Sequence, residues 1–157
     1  MLKKINLKFK KNFIWRLKSI YHLWFIYNLF SSLDNNKYTL VKEDPKFPFI
    51  KLGSDFDIYS IEILSLVNTF SDFYKEKFQY NLTIKNKKEG HVHLDLHHKN
   101  KFIYKFDIYS DKFKSNDFNE RFISEVIESS TTKSFFFFIK QRVQVPNEVM
   151  DLVIRIF

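Results

Sequence analysis

The chain has 157 residues, 45% of them hydrophobic and 28% charged, a globular composition long enough to hide about 70% of the surface its unfolded form exposes. A formal net charge of +8 draws anionic partners such as nucleotides, nucleic acid or anionic lipid. Two glycines and no cysteine exclude a glycine-rich phosphate loop, a dinucleotide fingerprint, a disulfide scaffold and a thiolate zinc site, and agree with a cytoplasmic location.

Residues 1–12 form a basic leader, with Lys3, Lys4, Lys8, Lys10 and Lys11, ahead of a single domain over 13–157. From Phe13 to Leu33, Ile14, Leu17, Tyr21, Trp24 and Asn28 recur at helical spacing and predict an amphipathic helix. Its apolar stretch, Ile20 to Phe30, is broken by His22 and Asn28 and is shorter than the roughly 20 residues that span a bilayer, so no transmembrane segment is expected. Arg16, Lys18 and the lack of a small-x-small cleavage site argue against a secretory signal; residues 3–30, with Trp24 and Phe25, suit peripheral membrane association.

Tyr38 to Val41 reads as a strand, Pro45 and Pro48 mark a loop, and Gly53-Ser54 leads into a strand from Asp55 to Tyr59. From Ser60 the period becomes helical to about Phe78, with Ile61, Leu64, Val67, Phe70 and Tyr74 on one stripe, Ser60 as N-cap and Glu62 in the first turn. Strands Gln79–Lys85, His91–His98 and Phe102–Tyr109 follow, the last two joined by a tight turn at Lys99-Asn100, as a meander attached to the Asp55 strand. Asp117–Ser129 predicts a helix, Phe135–Ile139 a buried strand, and Asn147 the cap of a helix beginning at Glu148. There Val149, Leu152, Val153 and Ile156 form an apolar stripe on barely three turns, so the domain is expected to continue beyond Phe157, leaving this chain truncated. The expected class is α+β, a mixed sheet with helices packed on one face.

Asp55 and Asp57 lie two apart on a strand, so both carboxylates project from one face while Phe56 and Ile58 point to the other. Magnesium is held by one or two carboxylates together with substrate phosphates, which suits this pair. Gly53 and Ser54, just before it, offer close backbone approach, a hydroxyl and N–H groups to a phosphate. Strand alternation puts His91, His93, Asp95 and His97 on one face; alternate residues fan out along a strand, which disfavours a shared zinc ion. A two-residue turn at Lys99-Asn100 pairs Asp95 with Tyr104 and Val92 with Asp107, which sets Asp95 on the polar face and Asp107 on the helix side.

Tyr38-Thr-Leu-Val-Lys-Glu, a proline-containing loop, Gly53-Ser-Asp-Phe-Asp-Ile, a helix and then His93-Leu-Asp-Leu-His resemble the nucleotidyltransferase superfamily that includes DNA polymerase beta, and its bacterial lincosamide-type members most closely. The stretch Val143-Gln-Val-Pro-Asn-Glu also looks like the segment that follows their catalytic core, so the resemblance covers about residues 38–157. It implies Asp55, Asp57 and Asp95 as catalytic metal ligands for two magnesium ions, with Gly53, Ser54 and His97 contacting the nucleotide. The implied reaction is in-line attack by an acceptor hydroxyl or phosphate on the alpha-phosphorus of a nucleoside triphosphate, with a small molecule or saccharide as acceptor and pyrophosphate leaving. Two other classes are consistent with the residues. A metal-dependent glycosyltransferase also holds a sugar nucleotide through Asp-x-Asp, and a catalytically silent basic module would bind nucleic acid or membrane through residues 3–11 and the aromatics interleaved with lysine at Lys99–Lys105.

Overall fold

The structure, a computed structural model, describes Trp24, Asn28, Phe30, Ser31, Leu33 and residues 37–41, 52–78, 80–112, 121–135 and 141–156. The basic leader, most of the helix expected over 13–33, the Pro45–Pro48 loop, and residues 117–120 and 136–140 of later elements lie outside them. Within that first helix, Trp24, Asn28, Phe30 and Ser31 are helical, and the Asn28 side chain donates to the Trp24 carbonyl. No helix among the described residues is long and apolar enough to cross a membrane.

The class is α+β. Strands β1 (Tyr38–Val41), β2 (Asp55–Ser60), β3 (Asn81–Lys88), β4 (His91–His98) and β5 (Lys101–Tyr109) form one mixed sheet in the order β1-β2-β5-β4-β3. Strands β3, β4 and β5 are the expected antiparallel meander; β5 then returns beside β2 in parallel, after a crossover that starts with helix α1 (Ile63–Phe78). Helix α2 (Phe122–Glu128), strands β6 (Thr131–Phe135) and β7 (Gln141–Val145) and helix α3 (Glu148–Ile156) complete the described chain. Strands β6 and β7 pair antiparallel; of the buried strand expected over Phe135–Ile139 only Phe135, the last residue of β6, is among the described residues, and Thr131 and Thr132 earlier in β6 are exposed.

Alternation along the strands makes one face apolar. Phe56, Ile58, Leu94, Leu96, Tyr104, Phe106 and Ile108 are buried there under Leu66, Val67, Phe70 and Tyr74 of α1, with Phe106 stacked on Phe56 and edge-on to Phe70. The stripe therefore runs through Leu66, while Ile61 and Leu64 are exposed. The helix begins later than Ser60. Ser60 is the last residue of β2 and its hydroxyl accepts from the Glu62 N–H, and the Glu62 carbonyl starts the helical ladder by accepting from Leu66. This shift leaves Glu62 ahead of the first turn, where it pairs with Lys37.

Helices do not lie on one face only. The opposite face is divided: Tyr59 and Tyr109 at one end of β2 and β5, with Val41 on β1 beside Asp57, are apolar or aromatic, while Asp55, Asp57, Lys105 and Asp107 are charged. Phe122, Ile123, Val126 and Ile127 of α2 and Ile154 of α3 pack with Val41 and Tyr59 of this face. Asn147 caps α3 as expected, its side-chain oxygen accepting from Met150 N–H. This helix packs through Ile154, Met150 and Val153 and exposes Val149, Leu152 and Ile156.

Two backbone details set the register of the charged end. Lys99 and Asn100 both have positive φ, 49° and 60°, the conformation of a two-residue type I′ turn. The ladder then slips: His97 pairs with Phe102 but Leu96 with Tyr104, so Ile103 is the extra residue of a β-bulge. The Ile103 carbonyl is turned to accept the Gly53 N–H at 2.7 Å, and Gly53 reaches it with φ +89°, a conformation that favours glycine. Among the described residues a methyl at Gly53 would meet Phe102 alone, at an ordinary 3.9 Å. Gly53→Ala should therefore lose about 1–2 kcal/mol from backbone strain alone, read as a lower urea midpoint with unchanged slope.

Candidate functional site

Carboxylates placed side by side on a strand repel unless cations stand between them. On the charged part of the sheet the register sets Lys105 between Asp55 and Asp95 but leaves Asp57 and Asp107 side by side. Asp57 of β2 pairs with Asp107 of β5, Asp107 with His93 of β4, and His93 with Lys85 of β3. One step towards the start of β2, Asp55 pairs with Lys105, Lys105 with Asp95, and Asp95 with Thr83. Two rows of polar residues thus cross four strands on one face.

The side chains join these rows into one network. Lys105 Nζ lies 2.5 Å from Asp55 Oδ2 and 3.3 Å from Asp107 Oδ2, tying β2 to β5. Asp107 Oδ1 faces His91 Nε2 at 2.8 Å and His93 Nδ1 at 3.0 Å. The other nitrogen of His93, Nε2, faces Asp95 Oδ1 at 2.6 Å, and Asp95 Oδ2 takes Lys85 Nζ at 2.6 Å. His91, His93, Asp95 and Asp107 are all buried. Each ring nitrogen of His93 thus faces a different carboxylate, Nδ1 that of Asp107 and Nε2 that of Asp95.

Burial alone pushes the Asp107 carboxyl up, but hydrogen bonds from His93 and His91 and the charge of Lys105 outweigh it and hold it below the usual aspartate range. Asp95 behaves likewise: burial raises it, and Lys85 and His93 together bring it lower. The hydrogen bond to Asp55, against burial and with help from Asp107, raises Lys105. Burial, helped by the nearby Asp57 charge, pushes the Tyr59 phenol up to about 12.

Because the folded carboxyls of Asp95 and Asp107 sit below the unfolded value of about 3.9, their stabilisation is complete above that pH and is lost as pH falls through their lower folded values. Asp95→Asn should accordingly cost stability at pH 7 and progressively less below about pH 4. Urea midpoints of both proteins across that range check this, and a gap that stays constant would contradict it.

The sequence-derived site residues are only partly brought together. Asp55 and Asp57 share the polar face of β2, as expected. Asp95 shares that face but lies on β4, with β5 between it and β2, whereas Asp107 stands directly beside Asp57. The expected pairs Asp95–Tyr104 and Val92–Asp107 are replaced by Asp95–Lys105 and His93–Asp107. The two-residue turn holds; the Ile103 bulge inserts one residue and carries Asp107 onto the polar face. Gly53 does not offer a spare N–H, since the bulge carbonyl takes it, and the Ser54 carbonyl accepts from Lys105 N–H. His97 is half-buried with its ring edge-on to Phe102, at the far end of β4 from His91. Lys105, Asp107, His93 and Lys85 were not assigned to the site from sequence, although the Lys105-Phe-Asp107 alternation was a usable signal.

Against protein-family models, curated proteins and solved structures alike, the chain has no significant match. The chemistry of the site therefore rests on its geometry. Among the described residues no three His, Asp or Glu side chains gather as a ready-made metal cage, because the carboxylates turn to Lys105, His91 and His93 instead.

Proposed function

We propose that the chain is a magnesium-dependent nucleotidyltransferase with a nucleotidyltransferase-like fold, and that Asp55, Asp57 and Asp107 are its metal-binding carboxylates. The observation that supports this most is the parallel register of Asp57 with Asp107, with Asp55 two residues earlier on the same face. Three oxygen-donor side chains from two neighbouring strands suit a hard divalent cation. Lys105, held between Asp55 and Asp107, marks a point where this cluster stabilises positive charge. Both ring nitrogens of His93 and Nε2 of His91 face carboxylates, which disfavours a zinc ion shared by the two imidazoles.

Asp55, Asp57 and Asp107 would hold magnesium, which when bound supplies charge stabilisation to the triphosphate oxygens and the leaving pyrophosphate. His91 and His93 hold one oxygen of Asp107, and the other faces the Lys105 ammonium. Asp95, assigned from sequence as the third ligand, instead positions His93 and anchors Lys85. The acceptor is a small molecule or saccharide, attacking the alpha-phosphorus as its hydroxyl or phosphate.

A second reading, a catalytically silent basic module, is favoured by one observation: Lys105, His91 and His93 already satisfy Asp55 and Asp107. Magnesium-dependent pyrophosphate release, measured across the four nucleoside triphosphates with cell extract as acceptor source, separates the two. Release above a metal-free control supports transfer. No release with any triphosphate supports the silent module.

A further inference from the structure

A cation that already occupies a carboxylate cluster competes with any other cation for it. Lys105 is held by two oxygens from two strands, Asp55 Oδ2 and Asp107 Oδ2. Both belong to the three carboxylates assigned above to metal, so the ammonium and a divalent ion at that point are mutually exclusive. The lysine is also able to leave. Its side chain is 24% exposed and that of Asp55 is 53% exposed, so the contact opens towards solvent, in contrast to the His91–Asp107 contact, where both side chains are under 10% exposed. The direction of release is limited as well. Lys105 alternates with Phe106, which is fully buried on the other face, so the backbone of β5 cannot turn and only the flexible four-carbon stem moves. An ammonium freed at the rim of a metal-filled cluster would face the same substrate as the metal.

We propose that Lys105 is a resident counter-cation of the site: a divalent metal displaces it from Asp55 and Asp107, and the released ammonium then binds the triphosphate. This rests on the nucleotidyl-transfer reading. It implies that the empty cluster is charge-compensated, which keeps the fold stable without metal, and that metal alone binds weakly. Metal and triphosphate together bind cooperatively, since the phosphate stabilises the displaced lysine and so favours the state that admits metal.

The test is Mn2+ binding by calorimetry to the wild type, Lys105→Gln and Lys105→Arg, without nucleotide and then with a non-hydrolysable ATP analogue. Without nucleotide, Lys105→Gln should bind Mn2+ about tenfold more tightly than the wild type, within the ordinary range of coupling between sites, and Lys105→Arg should not. With Mn2+ saturating, Lys105→Gln should bind the analogue about tenfold more weakly. Equal or weaker Mn2+ binding by Lys105→Gln overturns the inference and leaves the metal site standing. Absence of Mn2+ binding to both proteins removes the nucleotidyl-transfer reading together with it. Should Lys105→Gln fail to fold, the wild type alone decides. Reductive methylation followed by mass spectrometry should show Lys105 labelling faster on addition of Mn2+ and slower again on addition of the analogue, and an unchanged rate overturns the proposal.

Discussion

Asp107→Asn is expected to lower turnover by about two to three orders of magnitude, the loss typical when one group stabilising developing charge is neutralised. Asp57→Asn, its partner across β2 and β5, should do the same. Asp95→Asn, one strand further out and reaching Asp107 through His93, should lower turnover by about tenfold, as for an outer-sphere partner. Steady-state pyrophosphate release on variants checked for folding by circular dichroism measures all three. A larger loss at Asp95 than at Asp107 would contradict the assignment. Two like charges on one strand face repel, so neutralising either member of Asp55-x-Asp57 would by that alone leave the fold intact. At Asp55 the structure argues otherwise, because Lys105 already compensates that charge.

His93→Ala should destabilise the fold by about 3–5 kcal/mol, the cost of removing one partner from a buried ion pair. Its ring stands between Asp95 and Asp107, and losing it leaves both buried carboxylates short of a donor. Asp95 keeps Lys85, whose side chain is largely exposed, and Asp107 keeps His91 and Lys105. The melting temperature should fall by roughly 10 °C for a chain of this size. A loss under about 1 kcal/mol would mean that water or the remaining cations replace the imidazole without penalty.

Much of the sheet was legible from local pattern. Tyr38–Val41, His91–His98 and the Lys99-Asn100 turn were readable from apolar period and turn chemistry, and Asp55 and Asp57 from their shared parity. The bulge at Ile103 was not. Phe102, Ile103 and Tyr104 are three consecutive large apolar residues, so alternation gives no mark of where one residue is added, and the cause lies elsewhere in the chain, in the Gly53 N–H that the bulge carbonyl accepts. That single residue reverses the parity of everything after it on β5 and sets Asp107 beside Asp57, while Asp95 keeps the polar face one strand further out. The α1 stripe was misphased for a related reason. Ile61 belongs to the turn after β2, where its N–H donates to the Lys37 carbonyl, yet it continues the helical period of the residues that follow. The division of one face between α2 and the charged rows depends on contacts between distant segments, Val41 and Tyr59 with Phe122 and Ile154, which no local pattern records.

The most direct measurement of the central claim is the anomalous scattering of a crystal of the full chain soaked with Mn2+ and a non-hydrolysable nucleoside triphosphate. A peak within coordination distance of Asp55, Asp57 and Asp107, about 2.0–2.3 Å from their oxygens, with the triphosphate beside it, is the expected result. A peak lodged at His91 and His93, or triphosphate bound away from β2 and β5 with no metal at these carboxylates, would contradict it.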